Sequence, residues 1–167
     1  MNHIIVDTNI VFSSLTRSKR IQNTLTKLHR NNYTIHAPRE LLEELKENID
    51  KLQKHSPLQP TLLKTIIEEV LPRLLTLHST AEIPREVIEK AKELVRGIDP
   101  DDWPFVALAM FLDIPLWTGD KAILELAVKT GFKHFVAIDT EGVELLLNGE
   151  PLEKVKERIK QKYGARI

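Results

Sequence analysis

The stretch "DPDDWPFVALAMFLDIPLWTGDKAIL", residues 99 to 124, decides how the chain is read. It opens with three clustered acids, Asp99, Asp101 and Asp102, and continues into an apolar segment with helical spacing, "PFVALAMFL". A short apolar β-rich run, "IPLW", follows, then the polar turn "TGD", then a second helical pattern beginning at Lys121. Helix, strand and helix in this order form the repeating unit of a parallel sheet. The first helix must start near the carboxyl edge of the sheet to deliver the chain to the beginning of the strand. Asp102 and the turn residue Asp120, with Gly119 supplying backbone freedom, are thereby expected at that one edge.

Working outward, similar strands are expected at "HIIV" (3 to 6), "YTIHA" (33 to 37) and "HFVAI" (134 to 138), with "LLTLH" (74 to 78) a weaker one. Helices are expected between them, including one over "PRELLEELKENIDKLQKH" (38 to 55) with Pro38 in its first turn, and another over "QPTLLKTIIEEVL" (59 to 71). Strands alternating with helices predict an α/β fold, a three-layer α/β/α sandwich around a parallel sheet of about four to five strands. The length of 167 residues suits one domain, read as a body over 1–150 closed by an amphipathic helix or tail over 151–167.

In such sheets ligands bind beyond the carboxyl ends of the strands, where strand order reverses. Asp7 stands at the end of "HIIV", the first and therefore central strand, followed by Thr8 and Asn9. Asp120 stands at the end of "IPLW". Either acid alone is equally well a helix N-cap. Of Glu40, Glu43, Glu44 and Glu47 in the helix after the second strand, at most one is expected to point inward. Carboxylates converging without basic partners repel one another unless a cation neutralises them. The chain has no Cys, so oxygen ligands select magnesium or manganese, and the chemistry implied is phosphodiester hydrolysis.

Composition sets the outer limits. Hydrophobic residues at 42% and charged residues at 29% describe an ordinary globular protein. The net charge of zero conceals basic ends, +4 over residues 1 to 37 and +4 over 151 to 167, around a middle at −8, a distribution suited to meeting a polyanion while holding a cation, or to plain solvated helix faces. No apolar run approaches the length of a membrane span and the start does not resemble a signal peptide, so a cytoplasmic location is expected. Six histidines show no metal-binding spacing and are read as structural or surface residues, while phosphate loops and nucleophile elbows are absent.

Taken together, "IIVDTNIVFSSL", "APRELLEELKE" and "DPDDWPFVALAMFLDIPLWTGDKAIL" resemble the PIN-domain family, metal-dependent ribonucleases that include VapC-type toxins of toxin-antitoxin pairs. The resemblance implies Asp7, Glu44, Asp102 and Asp120 as catalytic and metal-ligating acids around Mg²⁺ or Mn²⁺, with Thr8, Asn9 and Thr118 in supporting contacts. It also implies an RNA substrate, an antitoxin partner and a homodimer. Glu43 is the neighbouring alternative to Glu44, about 100° away around the helix, and Asp99 or Asp101 the alternative to Asp102. After "TGD" the sequence departs from many toxins, which continue with Asp and Phe where this chain has Lys121, Ala122 and Ile123. Basic residues Arg17, Lys19 and Arg20 are candidates for phosphate contacts. The rival expectations are a non-catalytic PIN-like module that binds RNA or protein, and an aspartyl-phosphate phosphatase. The phosphatase wants an Asp where Asn9 stands.

Overall fold

The strand β1 (His3–Val6) carries Ile4, Ile5 and Val6 with no exposed surface, the mark of a strand covered on both faces. It is the middle of five parallel strands, completed by β2 (Thr34–Pro38), β3 (Thr76–His78), β4 (Leu116–Trp117) and β5 (Ala137–Ile138) in the order β3-β2-β1-β4-β5. The computed structural model describes residues 2–164, so positions 165–167 of the expected tail lie outside the described residues. From β1 the chain steps outward to β2 and β3, then crosses back to lay β4 on the other side of β1. Strand order therefore reverses between β1 and β4.

Side-chain alternation assigns the layers. Ile35 of β2 shares a pocket with Val11 of α1 (Thr8–Leu15), Leu25 of α2 (Lys19–Arg30) and Leu71 of α6 (Leu71–Leu74). Ile5 is paired with His36 and with Leu116, and Leu116 faces Phe105 and Val106 of α8 (Trp103–Leu112) together with Ile123 of α9 (Lys121–Lys129). Helices thus cover both faces of a parallel sheet, the three-layer α/β/α sandwich expected. The helix α7 (Arg85–Val95) packs on α8, and α10 (Thr140–Leu147) packs on α2. The closing α11 (Leu152–Gly164) lies against α9, α10 and β5, with Val155, Ile159 and Tyr163 buried.

Four local expectations change. Pro38 ends β2 instead of opening a helix. At the last rung of the strand its missing N–H costs no ladder bond, and Arg39 N–H resumes donation to His78 O at 3.0 Å. The expected long helix is two, α3 (Glu40–Glu47) and α4 (Ile49–His55), because Asn48 turns both its backbone N–H and its side-chain amide onto Glu44 O and leaves the helical region at φ −103°. The helix over 59 to 71 becomes α5 (Pro60–Thr65), a π turn (Ile66–Val70) and α6. Pro72 has no N–H and its ring would strike the carbonyl four residues back, and the wider turn ahead of it relieves that clash. The strands at 114 to 117 and 134 to 138 shrink to two residues each.

Candidate active site

Five acids from four distant segments line one cavity of about 140 Å³ at the carboxyl edge between β1 and β4: Asp7, Glu44, Asp102 and Asp120, with Asp99 beside Asp102. Thr8, Asn9 and Thr118 line it too. Its apolar wall is Phe105, Val106, Leu116 and Ile123. Phe105 and Val106 follow Asp102 by three and four residues and Ile123 follows Asp120 by three, so each acid and its wall share a helical face. That spacing was open to view in the sequence, although only the acids were singled out.

The two readings of the strand-end acids turn out to be one arrangement. Asp7 caps α1, its Oδ1 accepting from Ile10 N–H at 2.9 Å, while Oδ2 accepts from the Thr118 hydroxyl. Thr118 Oγ1 in turn accepts from Asp120 N–H at 3.0 Å, and Asp120 Oδ1 caps α9 through Ala122 N–H at 2.9 Å. Capping fixes each carboxylate and leaves lone pairs facing the cavity. Thr118, buried in β4's continuation, ties the two together. Gly119 adopts no left-handed conformation and a Cβ there would meet nothing, so the freedom ascribed to it is not used.

Among the clustered acids, Asp99 Oδ1 accepts from Asp101 N–H at 3.0 Å and so organises the 3₁₀ turn Pro100–Asp102. Asp101 is exposed and faces a neighbouring acidic shelf with Glu40, Glu43 and Glu47. Asp102 precedes α8 without making a side-chain capping bond, so its oxygens are uncommitted. In α3, Glu43 is exposed, whereas Glu44 is half-buried and reaches the cavity.

Electrostatics set these residues apart from ordinary surface acids. Burial pushes the Asp7 carboxyl up to about 6 and nearby Asp120 adds to the rise, against the hydrogen bonds from Thr118 and Ile10. Burial likewise lifts Glu44 to about 7, with Asp7, Asp101 and Glu47 adding to it. Asp102 rises to about 7 through burial and then the charges of Asp99, Asp120, Asp7 and Glu44. No Lys, Arg or His lines the cavity. The Thr8 hydroxyl leans toward Glu44 and opposes its rise, but falls short of hydrogen-bond geometry, since Thr8 Oγ1 is buried without a hydrogen-bond partner among the described residues. A buried hydroxyl without a partner and carboxyls pushed up by burial, with one another's charges adding to it, both suit a hydrated divalent cation. No three His, Cys, Asp or Glu among the described residues already stand close enough to hold one.

Arg20, a sequence candidate for phosphate contact, is held by Glu144 through both Nε and a terminal nitrogen, whereas Arg17 and Lys19 are exposed. None of the six histidines lines the cavity, and three of them, His3, His36 and His78, form a row across the sheet that the sequence did not announce.

Comparison with known proteins follows the same lines. No curated protein matches the sequence. Among solved structures, VapBC2 from Rickettsia felis, bound to a DNA fragment from its promoter, superposes with a TM-score of 0.62 at 15% identity, covering 82% of this chain and 98% of that one. FitAB bound to the IR36 DNA fragment superposes with a TM-score of 0.60 at 14% identity, covering 82% and 94%. At such identities the likeness concerns the fold alone. The sequence profile of the PIN domain matches residues 5–162, nearly the whole chain, and the chain therefore belongs to the PIN-domain family.

Proposed function

We propose that this protein is a magnesium- or manganese-dependent endoribonuclease whose metal-holding residues are Asp7, Glu44, Asp102 and Asp120. The observation that carries the proposal is their meeting in one cavity that has no basic side chain to offset them. A divalent cation held there supplies Lewis-acid polarisation of a phosphodiester and lowers the pKa of water. The chain's own residues supply the rest. Asp7 is immobilised by the Ile10 N–H and the Thr118 hydroxyl, and Asp120 by Ala122 N–H, so two of the four ligating groups are oriented before anything binds. Asp102, with no capping bond, orients the attacking water through a carboxylate oxygen. Phe105, Val106 and Ile123 shield that side of the cavity from bulk water.

RNA as the substrate follows from family membership, as does a protein partner of the antitoxin kind, which the likeness to VapBC2 and FitAB also supports. A homodimer draws no support from α11, whose apolar face is buried against its own domain. A cytoplasmic location belongs to the same proposal; no helix among the described residues is long and apolar enough to cross a membrane. A second function, a PIN-like module that holds RNA or protein without cutting, has on its side that no three-ligand grouping stands preformed among the described residues. A cleavage assay on mixed cellular RNA decides between them. The parent cuts with magnesium or manganese and yields discrete ends, and Asp7→Asn and Asp102→Asn do not cut. RNA binding without cleavage by the parent in either metal would make it a module, and equal cleavage by the Asn variants would remove the site.

A further inference from the structure

The sheet carries a second cluster of titratable groups, remote from the acids in composition and use. In the pairing register Ile5 stands beside His36 and His36 beside Thr76. His3 lies two residues before Ile5 on its strand and His78 two after Thr76, so all three imidazoles project from one face. His3 Nδ1 is 2.9 Å from His36 Nε2, and His36 Nδ1 is 2.8 Å from His78 Nε2. Both pairs of rings are centred 5.1 Å apart. Four of the six ring nitrogens thus face one another in two N–H···N contacts, leaving His3 Nε2 and His78 Nδ1 as the outer ends.

Proton counting limits what this row can hold. Three neutral imidazoles carry three N–H protons: one for each internal contact and one for an outer nitrogen. A first added proton fills the other outer nitrogen with both contacts intact, and shifts of the internal protons let its charge rest on any ring. A second has no place except inside a contact, where it sets N–H against N–H. We infer that His3, His36 and His78 act as one acid-sensitive clasp across β1, β2 and β3, which accepts one proton with its contacts intact and opens on the second, releasing β3. That strand is at the edge of the sheet and only three residues long, and its two pairings nearest the row join it to β2 alone.

The surroundings favour a neutral row. α8, packed on β1 and β2 from this face, has no ionisable side chain. On the opposite face α2 brings Lys19, Arg20, Lys27, His29 and Arg30, and α6 brings Arg73, all cationic when charged. Arg39 follows β2 directly. His36 is 8% exposed, and burial, followed by the charges of His78 and His3, holds it down to about 4. Because this lies below the ordinary value of 6.5, the stabilisation is complete above about pH 6.5 and is lost as the pH falls toward 4.

Nitrogen NMR on the ¹⁵N-labelled full chain tests the clasp. The expected result is scalar coupling across both N–H···N contacts at neutral pH, still present after the first proton binds and lost with the second. Exchange protection of the β3 amides, corrected for intrinsic rates, should fall with it, on the order of 100-fold between pH 6.5 and 4. Three independent titrations without coupling, or β3 protection unchanged to pH 4, would overturn the inference. As a second measurement, His36→Leu should flatten the dependence of unfolding stability on pH over this range relative to the parent. An unchanged slope would overturn it as well, and should the variant not fold, the NMR result stands alone as the arbiter.

Discussion

Two nearly identical phrases, "VDTN" at 6–9 and "IDTE" at 138–141, end the central strand β1 and the edge strand β5. Each aspartate caps the following helix through Oδ1, Asp7 to Ile10 N–H at 2.9 Å and Asp139 to Gly142 N–H at 2.8 Å. Beyond the cap they diverge. Asp139 Oδ2 accepts from Tyr163 Oη at 2.8 Å and Lys162 Nζ at 3.1 Å, both from α11, and these bonds with the Gly142 cap hold its carboxyl below the usual range in spite of burial. Asp7 meets a neutral hydroxyl and shares its cavity with four further acids, and burial pushes it up to about 6. Local sequence makes both of them caps, and the long-range partners make one a structural anion and leave the other facing an acidic cavity. Gly142 belongs to the structural version, since a Cβ there would come within 3.1 Å of Val155 and 3.2 Å of Ile138.

The contrast can be broken most severely by exchanging charge for an isosteric amide. Asp7→Asn should cut RNA cleavage by more than about 100-fold, beyond the 10 to 100-fold cost of losing an outer-shell group, while leaving the metal-free fold at least as stable. Asp139→Asn should leave cleavage within about twofold and weaken the fold by about 1.5–3 kcal/mol, the worth of hydrogen bonds to a charged group, measured by urea denaturation. An Asp139 variant that loses cleavage while remaining folded would collapse the distinction.

Glu44→Gln and Glu43→Gln sharpen the same comparison within α3. The first should reduce cleavage by about 100-fold and the second by no more than about twofold, because only Glu44 reaches the cavity.

Acidity separates the two regions again. The raised values of Asp7, Glu44 and Asp102 mean that the folded chain binds more protons than the unfolded one between about pH 4 and 7, so in the absence of metal these acids cost increasing stability as the pH rises through that window. Asp139, with its lowered value, contributes stability above the ordinary 3.8 that disappears as the pH falls through its folded value. Subtracting the stability of Asp7→Asn from that of the parent at each pH should isolate the first effect. Saturating magnesium at pH 7.5 should reverse it, by about 2.7 kcal/mol at a hundred times the Kd, and lose its effect below about pH 6.

Among the residues lining the cavity, the smallest loss is expected of Thr118→Val. It removes a donor to Asp7 and an acceptor for Asp120 N–H without touching a ligating oxygen, and should lower cleavage by about 10-fold and push the Asp7 carboxyl further up, visible by carboxyl ¹³C NMR.

How much of this was legible beforehand depends on the range of the forces involved. The alternation of strands and helices and the acids at strand ends follow from local pattern, so the parallel sheet and the meeting of Asp7 with Asp120 could be foreseen. The choice of Glu44 over Glu43 needs the docking angle of α3, which is set by Leu41 and Leu45 in the core. Asp99 and Asp102 both line the cavity, and what distinguishes them is the 3₁₀ turn that engages one oxygen of Asp99, a feature the sequence does not display. Nothing near position 139 announces Lys162 and Tyr163, which are 23 and 24 residues away along the chain. The histidine row needs strand register, and its members lie 33 and 42 residues apart.

Manganese binding, followed by the loss of the free-ion electron paramagnetic signal at pH 7.5, tests the central claim most directly on the parent, Asp7→Asn and Asp139→Asn. The parent and Asp139→Asn should take up the ion alike, and Asp7→Asn should bind it at least about 10-fold more weakly. A parent that leaves the signal untouched, or an Asp7→Asn variant that binds as tightly as the parent, would contradict it.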